Sequence, residues 1–401
     1  MTNESREQAY EDFLLSIVRG DVLFRLQRKV GLIPAGGLGL VRRAIFWSLL
    51  AWVPVAVWAW MEGRAVPPLA EEPLLGHFGV QVRCLVAIPL LILAEGPAHA
   101  MTMRILPHFV RSGLVEDSQI PAFRAALAGA ARVRDATLPW VAMLGVILAL
   151  NVVAEFSHRS HEVSWGIEHA TSGDGLGFGA LWFLYVARPI HLALLVAWFW
   201  RIVLVWSLFH RIAKLELSLV PTHPDRAGGL GFLEQVPNIF APVVLAIGSV
   251  LAARWGHDIV YHGVHVKDLR LQMGAFVILA LLLSLSPLIA FAPLIIKTKR
   301  KALLDYSSLV GRHGRPVRDR WIGGQLILDD ALLDAPEIGP VADTGPLYDA
   351  VVSMQVLLIG KATVVPLLLA AVLPLIPVLA IEIPITTILS EIGRASCRER
   401  V

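Results

Sequence analysis

The chain has 401 residues, of which 56% are hydrophobic and only 17% are charged, and its mean hydropathy is +0.65. Soluble chains average about 45–50% apolar and about 25% charged residues, so this composition excludes an ordinary soluble globular protein and favours a polytopic membrane protein. The net charge of +3 gives no indication of a nucleic-acid partner. With only Cys84 and Cys397, neither a disulfide framework nor a cysteine metal site is expected.

The first 43 residues carry basic residues and apolar residues at near-helical spacing, which predicts an amphipathic helix on the cytoplasmic membrane face. Because charged residues precede any long apolar run, we expect no cleavable signal peptide. Seven apolar segments of spanning length follow, at residues 44–61, 84–103, 138–156, 180–209, 236–255, 273–296 and 363–389. The last segment is broken by prolines and is predicted to be one span or a tight re-entrant hairpin.

The distribution of lysine and arginine predicts the orientation of these spans. The N-terminal segment and the loops 104–137, 210–235 and 297–362 together hold 24 basic residues, whereas the three loops on the opposite side hold 5. We therefore expect an all-α transmembrane helical bundle of about seven spans with a cytoplasmic N-terminus. Six or eight spans are the alternatives, because the last apolar run is ambiguous.

These boundaries divide the chain into five segments. They are a cytoplasmic amphipathic segment 1–43, a six-span core 44–296, a basic cytoplasmic segment 297–362, a final span or hairpin 363–390 and a tail 391–401. The tail looks like translated sequencing-adapter read-through, so we expect the natural C-terminus to be missing. No internal sequence repeat is visible, which disfavours an inverted-repeat transporter.

Several short stretches, spread over most of the chain, carry a family resemblance. They are Leu90–Glu95, Phe109–Val115, Ala125–Ala128, Arg132–Asp135, the HPDRAGGLGFL sequence of His223–Leu233, Ala342–Asp343 and Leu373–Pro377. In these stretches the chain resembles a widespread family of bacterial multi-pass inner-membrane proteins of uncharacterised function. The resemblance implies a multi-pass architecture in a bacterial inner membrane, and it implies no activity.

The stretch Thr222–Leu233, between predicted spans four and five, combines charged residues, a proline and three glycines. The histidine, proline and aspartate order is that of J-domain co-chaperones, but the short connection leaves no room for such a module. Glycines let backbone N–H groups approach a phosphate, yet the spacing matches neither the P-loop nor the dinucleotide fingerprint. A tight turn, a ligand or ion gate and a catalytic site are left open. The residues assigned to it are His223, Asp225, Arg226, Gly228 and Gly229.

Two charged residues are predicted to lie inside spans. Glu95 lies near the middle of span two if that span covers 84–103, where a carboxylate needs a partner, a proton or water. If the span is shifted outward, Glu95 lies at the inner interface. Arg201 in span four has three interpretations: it extends to the headgroups, binds an anion, or pairs with Glu95 across the bundle. Glu95 and Arg201 are therefore candidate binding or gating residues.

Histidines cluster in two loops that the predicted topology places on the same, external side. The candidate metal ligands are His158, His161, His257, His262 and His265. Imidazole with carboxylate suits zinc, copper or nickel, and histidine near its ordinary pKa suits a pH sensor. Because no spacing matches a hydrolytic zinc motif, solvated loop histidines are the alternative.

The expected function is a channel, transporter or sensor subunit with a polar path through the bundle, and catalysis is disfavoured. One alternative is a membrane-bound enzyme acting on lipid-linked or phosphorylated substrates at the cytoplasmic face. Another is a structural or assembly partner of a second membrane protein. The lipid bilayer is the expected partner, a homo-oligomer is left open, and no cofactor is expected. The substrate, direction and oligomeric state are not fixed by the sequence.

Overall fold

The computed structural model describes residues 13–34, 36–66, 73–158, 164–170, 173–324 and 344–382. Its helices are α1 Val22–Lys29, α2 Leu40–Met61, α3 Phe78–Arg111, α4 Ile120–Asp135, α5 Leu138–His158, α6 Phe178–Ala213, α7 Ala241–His262, α8 Val266–Leu285, α9 Ala292–Trp321, α10 Thr344–Val352, α11 Lys361–Val372 and α12 Leu375–Glu382. Short 3-10 segments lie at Leu74–Gly76, Asp117–Gln119, Ser164–Gly166, Gly231–Phe240 and Ser286–Phe291. Strands β1 Ile167–Ala170 and β2 Gly173–Leu176 form one antiparallel hairpin in which Ile167 pairs with Leu176.

Five described segments are long and apolar enough to cross a membrane. They are Leu40–Met61, Phe78–Arg111, Phe178–Ala213, Gly231–His262 and Val266–Pro316. Helices α11 and α12, bent by 48° where they meet, add a sixth if they count as one span. In the predicted third span, α5, the described apolar part Pro139–Ala149 is shorter than a crossing needs. The structure thus confirms a helical architecture suited to a multi-pass membrane protein, while seven spans and a cytoplasmic N-terminus stay predictions.

Several element boundaries differ from those expected. Helix α3 begins at Phe78, six residues before the predicted start of span two at Cys84. The predicted loop 256–272 shrinks to residues 263–265, because α7 continues to His262 and α8 begins at Val266. After the 3-10 segment, α9 runs unbroken through the basic residues at 297–301. Lysine, arginine, alanine and leucine are strong helix formers, so charge alone does not end the helix there.

Helices α3 and α6 each contain one widened turn ahead of a proline. The π segments are Arg83–Ala87 in α3 and Phe183–Ala187 in α6, and Pro89 and Pro189 follow them. Proline lacks an N–H group and its ring crowds the carbonyl four residues earlier, so an α-helical turn cannot form there without strain. A π segment absorbs this conflict while the helix continues. Both helices therefore stay continuous across the bundle.

The N-terminal segment, defined as residues 13–34, inserts into the bundle instead of lying along its surface. Only Val22–Lys29 is helical, so the expected amphipathic helix is shorter than predicted. Phe13, Ile17 and Val18 are at most 3% exposed, and the Phe13 ring lies 5.7 Å from that of Phe123 in α4. Burial of these apolar side chains, at about 25 cal/mol per Å², fixes the segment against α4.

The core of the bundle lies around α3, α6 and α7, which are buried far more than α2 and α8. Near the end where α2 begins and α6 finishes, here called the N-terminal end of the bundle, three phenylalanines join three elements. The Phe291 ring lies 6.2 Å from Phe109 in α3 and 5.3 Å from Phe209 in α6. This aromatic contact fixes the ends of the two long helices beneath the N-terminal segment.

Candidate functional site: a buried ionic network

Four charged side chains meet at the N-terminal end of the bundle. Arg201 Nη2 of α6 donates to Glu95 Oε1 of α3 and to Asp21 Oδ2 of the N-terminal segment, each at 2.9 Å. Arg43 Nη1, in the first turn of α2, donates to Glu95 Oε2 at 2.5 Å. Asp21, Arg43, Glu95 and Arg201 are here called the ionic network. It connects the N-terminal segment with helices α2, α3 and α6.

Local structure places each member of the ionic network. Asp21 is the N-cap of α1, and its Oδ1 accepts from the Phe24 backbone N–H at 2.6 Å, which leaves Oδ2 for Arg201. Gln27, two turns along α1, accepts from Arg43 Nε at 2.5 Å and from Trp47 Nε1 at 3.2 Å. The short helix α1 therefore holds both an acid and an amide against the helices of the bundle.

The ionic network is almost completely withdrawn from solvent. Its four side chains are at most 2% exposed, and its two acids balance its two arginines. Removing one partner from such a buried pair typically costs about 3–5 kcal/mol, since the other charge stays buried. The network therefore fixes the N-terminal segment in place, and its integrity depends on every member.

Arg201 is incompletely satisfied. Its Nε and Nη1 atoms are buried and have no hydrogen-bond partner among the described residues, although its guanidinium lies 4.8 Å from the Trp198 ring. An unsatisfied donor in a buried site loses the solvation that it had in water, so such atoms need a physical explanation. These two nitrogens can therefore donate to a further anion or carbonyl oxygen while Nη2 keeps its existing contacts.

The position of Glu95 follows from the earlier start of α3. It lies 17 residues after Phe78, a helical rise of about 26 Å, and its partner Arg43 is only three residues into α2. Both facts place Glu95 toward the N-terminal end of the bundle, instead of at the middle of a span. Of the interpretations left open for Arg201, the structure shows the pair with Glu95.

Burial also affects the acid of the N-terminal segment. It raises the pKa of Asp21 above the ordinary value; the charge of Arg201 opposes this and the charge of Glu95 adds to it. The carboxyl of Asp21 therefore holds its proton more strongly in the docked segment than it would in water.

The stretch Thr222–Leu233 forms a closed turn around Asp225. One carboxylate oxygen accepts from the backbone N–H of Ala227 at 2.8 Å and of Gly229 at 3.1 Å, and the other accepts from Gly231 at 2.8 Å. Burial alone would raise the pKa of Asp225, but these backbone donors and His223 hold it below the ordinary value. His223 Nδ1 lies 2.8 Å from the same carboxylate. Asp225 is thus engaged as the centre of the turn.

Backbone conformation explains the glycines of this turn. Arg226, Gly228 and Gly229 have positive φ values of 55°, 70° and 98°, which glycine adopts without strain. The Arg226 carbonyl accepts from the Gln355 N–H at 2.7 Å, which ties the turn to the chain after α10. The turn interpretation therefore agrees with the geometry. No hydrogen bond or ion pair among the described residues connects this turn to the ionic network.

The structure distributes the predicted metal ligands over several places. The His257 ring lies 4.7 Å from His77 and 5.4 Å from His262 in an aromatic cluster, while His265 Nδ1 lies 3.0 Å from Glu382 Oε1. His161 and the side chain of His158 lie outside the described residues. Within the described ranges, no three histidine, cysteine, aspartate or glutamate side chains are placed to hold a metal ion. Metal binding by these histidines stays a prediction.

Asp21 and Arg43 belong to the site although no sequence motif singles them out. Both lie in the first 43 residues, where acids interspersed among several arginines resemble an ordinary solvated helix face. One signal was available for Arg43: it is the last basic residue before an apolar run, so it starts the span. No comparable signal marks Asp21, because its contact with Arg201 spans 180 residues.

The chain matches no model of a known protein family, and comparisons with curated proteins and with solved structures also gave no match.

Proposed function

We propose that the protein is a membrane-embedded transport or sensor component in which the N-terminal segment closes one end of the helical bundle. The observation that carries this proposal is the fully buried contact of Asp21 with Arg201, which docks a non-spanning segment onto two long apolar helices. Charged residues within apolar helices are costly and mark polar pathways or switches by default. The proposed location is a bacterial inner membrane, as the family resemblance implies.

The ionic network has features of a releasable closure. Arg201 contacts two acids with a single nitrogen, while its Nε and Nη1 have no acceptor among the described residues. Glu95 retains Arg43 as a second partner. Loss of the Asp21 contact would therefore weaken the docking of the N-terminal segment, which Gln27 and the buried apolar side chains also hold, while Glu95 would still be paired with both arginines. The docked arrangement is the closed state in this proposal.

Release of the segment can be measured without knowledge of the substrate. Ile17→Cys, in a chain whose Cys84 and Cys397 are replaced by serine, puts a thiol at a position that is 3% exposed. We expect slow maleimide labelling in this background and at least tenfold faster labelling when Asp21→Asn is added. Asp117→Asn, at an exposed acid on the same side, is the matched control and should leave the rate unchanged.

Liposome flux tests the transport role itself. Proton and common-ion fluxes through reconstituted wild-type protein should be low, should rise with Asp21→Asn and should change with Glu95→Gln. Suppose that all three proteins give identical fluxes, while Asp21→Asn still speeds the labelling of Ile17→Cys. The segment would then be released without any transport, which counts against the proposal. The sensor reading would then need a bound partner that recognises the released segment.

A second candidate, a structural or assembly partner, is favoured by a lateral groove. Helices α6, α7 and α8 surround an apolar cavity of about 660 Å³, and α8 exposes Ile278, Leu279 and Leu282 beside it. Lipid tails fill such a groove as readily as a helix of another chain. Disulfide cross-linking of Leu279→Cys in the cysteine-free background tests whether that helix comes from a second copy of this chain, because only a homo-oligomer gives a covalent dimer at low protein-to-lipid ratio.

A further inference from the structure

A small basic pocket lies at the N-terminal segment, between residues 19 and 37. Its volume is about 300 Å³, at the lower end of the range of roughly 300–1,000 Å³ for ligand pockets, so it suits a small group. The pocket is lined by Arg19, Gly20, Phe24, Arg25, Arg28, Ile33, Pro34 and Gly37. Three of these eight residues are arginines. None of the residues that line it is acidic.

The arginines surround the pocket from two directions. Arg25 and Arg28 are three residues apart on α1 and therefore share a face of that helix, while Arg19 comes from the irregular chain before it. Phe24 and Ile33, buried at 6% and 5% exposed, form an apolar base. The pocket thus combines a cationic rim with an apolar floor.

The described acids near the pocket, Asp21 and Asp135, are already engaged elsewhere. The Asp21 carboxylate points inward to Arg201 and to the Phe24 N–H, and Asp135 Oδ1 accepts from Arg134 Nε at 2.7 Å. Arg25 Nη2 donates to the Asp135 backbone carbonyl at 3.1 Å. Among the described residues, no carboxylate forms an ion pair with Arg19 or Arg28. The positive charge of the pocket is therefore available to a ligand.

We infer that this pocket binds a phosphate group through Arg19, Arg25 and Arg28. The planar guanidinium matches phosphate oxygens and is preferred for this recognition. The ligand is either the headgroup of an anionic phospholipid, whose glycerol region would contact Phe24 and Ile33, or a soluble phosphate. The inference does not rest on the proposed closure, since all eight lining residues belong to the stretch 19–37 and none of them is a member of the ionic network.

Binding of defined phosphates to the full-length protein in detergent tests the inference. The probes are short-chain phosphatidylglycerol, short-chain phosphatidylcholine and inorganic phosphate, and binding is followed by native mass spectrometry. We expect Arg19→Gln/Arg28→Gln to weaken phosphatidylglycerol binding about thirtyfold, since each basic residue near an anionic headgroup contributes roughly fivefold. Arg25 is kept, because its bond to Asp135 helps to hold the segment.

A matched variant and the probe series decide the outcome. Arg300→Gln/Lys301→Gln removes two exposed charges from α9 and should weaken binding by less than about threefold. If phosphatidylglycerol binds and inorganic phosphate does not, the ligand is a lipid headgroup. If inorganic phosphate binds comparably, the ligand is a soluble phosphate. Either result supports the site. Equal losses in the two double variants, or equal wild-type binding of phosphatidylglycerol and phosphatidylcholine, would overturn it. The single Arg28→Gln should give about a fivefold loss and serves if the double variant misfolds.

Discussion

The two longest inner helices, α3 and α6, share a backbone design and differ in the charges placed on it. Each begins with Phe-Gly, at Phe78 and Phe178, and each has a π segment that ends in Val-Ala before a residue and a proline. The offset between them is 100 residues throughout, and it also relates Phe109 to Phe209. The two helices therefore share a short pattern of residues and π segments although the sequence predicts no internal repeat, because few identical residues define the pattern.

The charged residues break this correspondence. Glu95 of α3 corresponds to Leu195 in α6, and Arg201 of α6 corresponds to Met101 in α3. The proline and its π segment fix how the backbone bends, and so recur in both helices. Neither of these two charges has a charged counterpart in the other helix, so the ionic network, and not the shared backbone, accounts for them. Substitutions at equivalent positions can therefore separate what the shared backbone requires from what the network requires.

The largest expected difference is between Glu95→Ala and Leu195→Ala. Loss of Glu95 leaves Arg43 and Arg201 buried without their shared acid, so we expect about 3–5 kcal/mol lower free energy of unfolding. Leu195 is partly exposed at the lateral groove, and its loss should cost about 1–2 kcal/mol. Denaturation by SDS in mixed micelles measures both. Equal losses would mean that the network adds nothing to ordinary packing.

A sharper test of this shared pattern is the pair Phe109→Ala and Phe209→Ala. Both rings are buried and contact Phe291 from equivalent positions, so each loss should cost about 3–4 kcal/mol. The same denaturation assay applies, with Phe291→Ala as the common partner. If the two values differ by more than about 1.5 kcal/mol, the two helix ends are not equivalent in energy, whatever their geometry.

The corresponding glycines should respond with opposite sign. A Cβ atom at Gly179 would overlap the Trp58 ring, whereas a Cβ at Gly79 would meet nothing within 4 Å. Gly179→Ala should therefore destabilise the protein by about 1–3 kcal/mol through overpacking. Gly79→Ala should be neutral or stabilising by up to about 1 kcal/mol, because alanine favours a helix. Thermal unfolding in detergent distinguishes the two, and a stabilising Gly179→Ala would contradict the close contact.

The smallest expected effect concerns the connections that follow the two helices. The turn after α6 has Asp225 at its centre, whereas in the shorter turn after α3 the acid Glu116 accepts from the Ser218 hydroxyl. The two connections also meet where Ser218 N–H donates to the Leu114 carbonyl. Because the folded-state pKa of Asp225 is lowered, its stabilisation is present above about pH 4 and is lost as the pH falls below that value. Asp225→Asn should lower stability by about 1–2 kcal/mol at pH 7.

Measurement of unfolding from pH 7 to pH 3 checks this assignment. The difference between wild type and Asp225→Asn should shrink as the pH falls, since protonation removes the same charge from the wild type. A difference that stays constant over this range would show that the carboxylate charge does not hold the turn.

The sequence predicts the apolar helices well because their hydrophobic runs are long and local. It predicts the pairing of Glu95 with Arg201 as one of several alternatives, since two opposite charges in apolar surroundings have few other partners. It does not predict Asp21, whose role depends on a contact across 180 residues. Nor does it predict the continuation of α9 past residue 296, because charge marks a membrane boundary but does not end a helix.

The contact between Asp21 and Arg201 also sets an order of events during synthesis. Arg43 and Glu95 are 52 residues apart and can meet once α2 and α3 have been inserted. Asp21 must wait for a residue made 180 positions later, which takes roughly 10 to 40 s at about 5–20 residues per second. During that interval the apolar side chains of the first segment can pack on α4, as Phe13 does against Phe123, but Asp21 has no arginine partner in α6. The ionic network is therefore completed only when α6, the third of the long apolar segments, emerges.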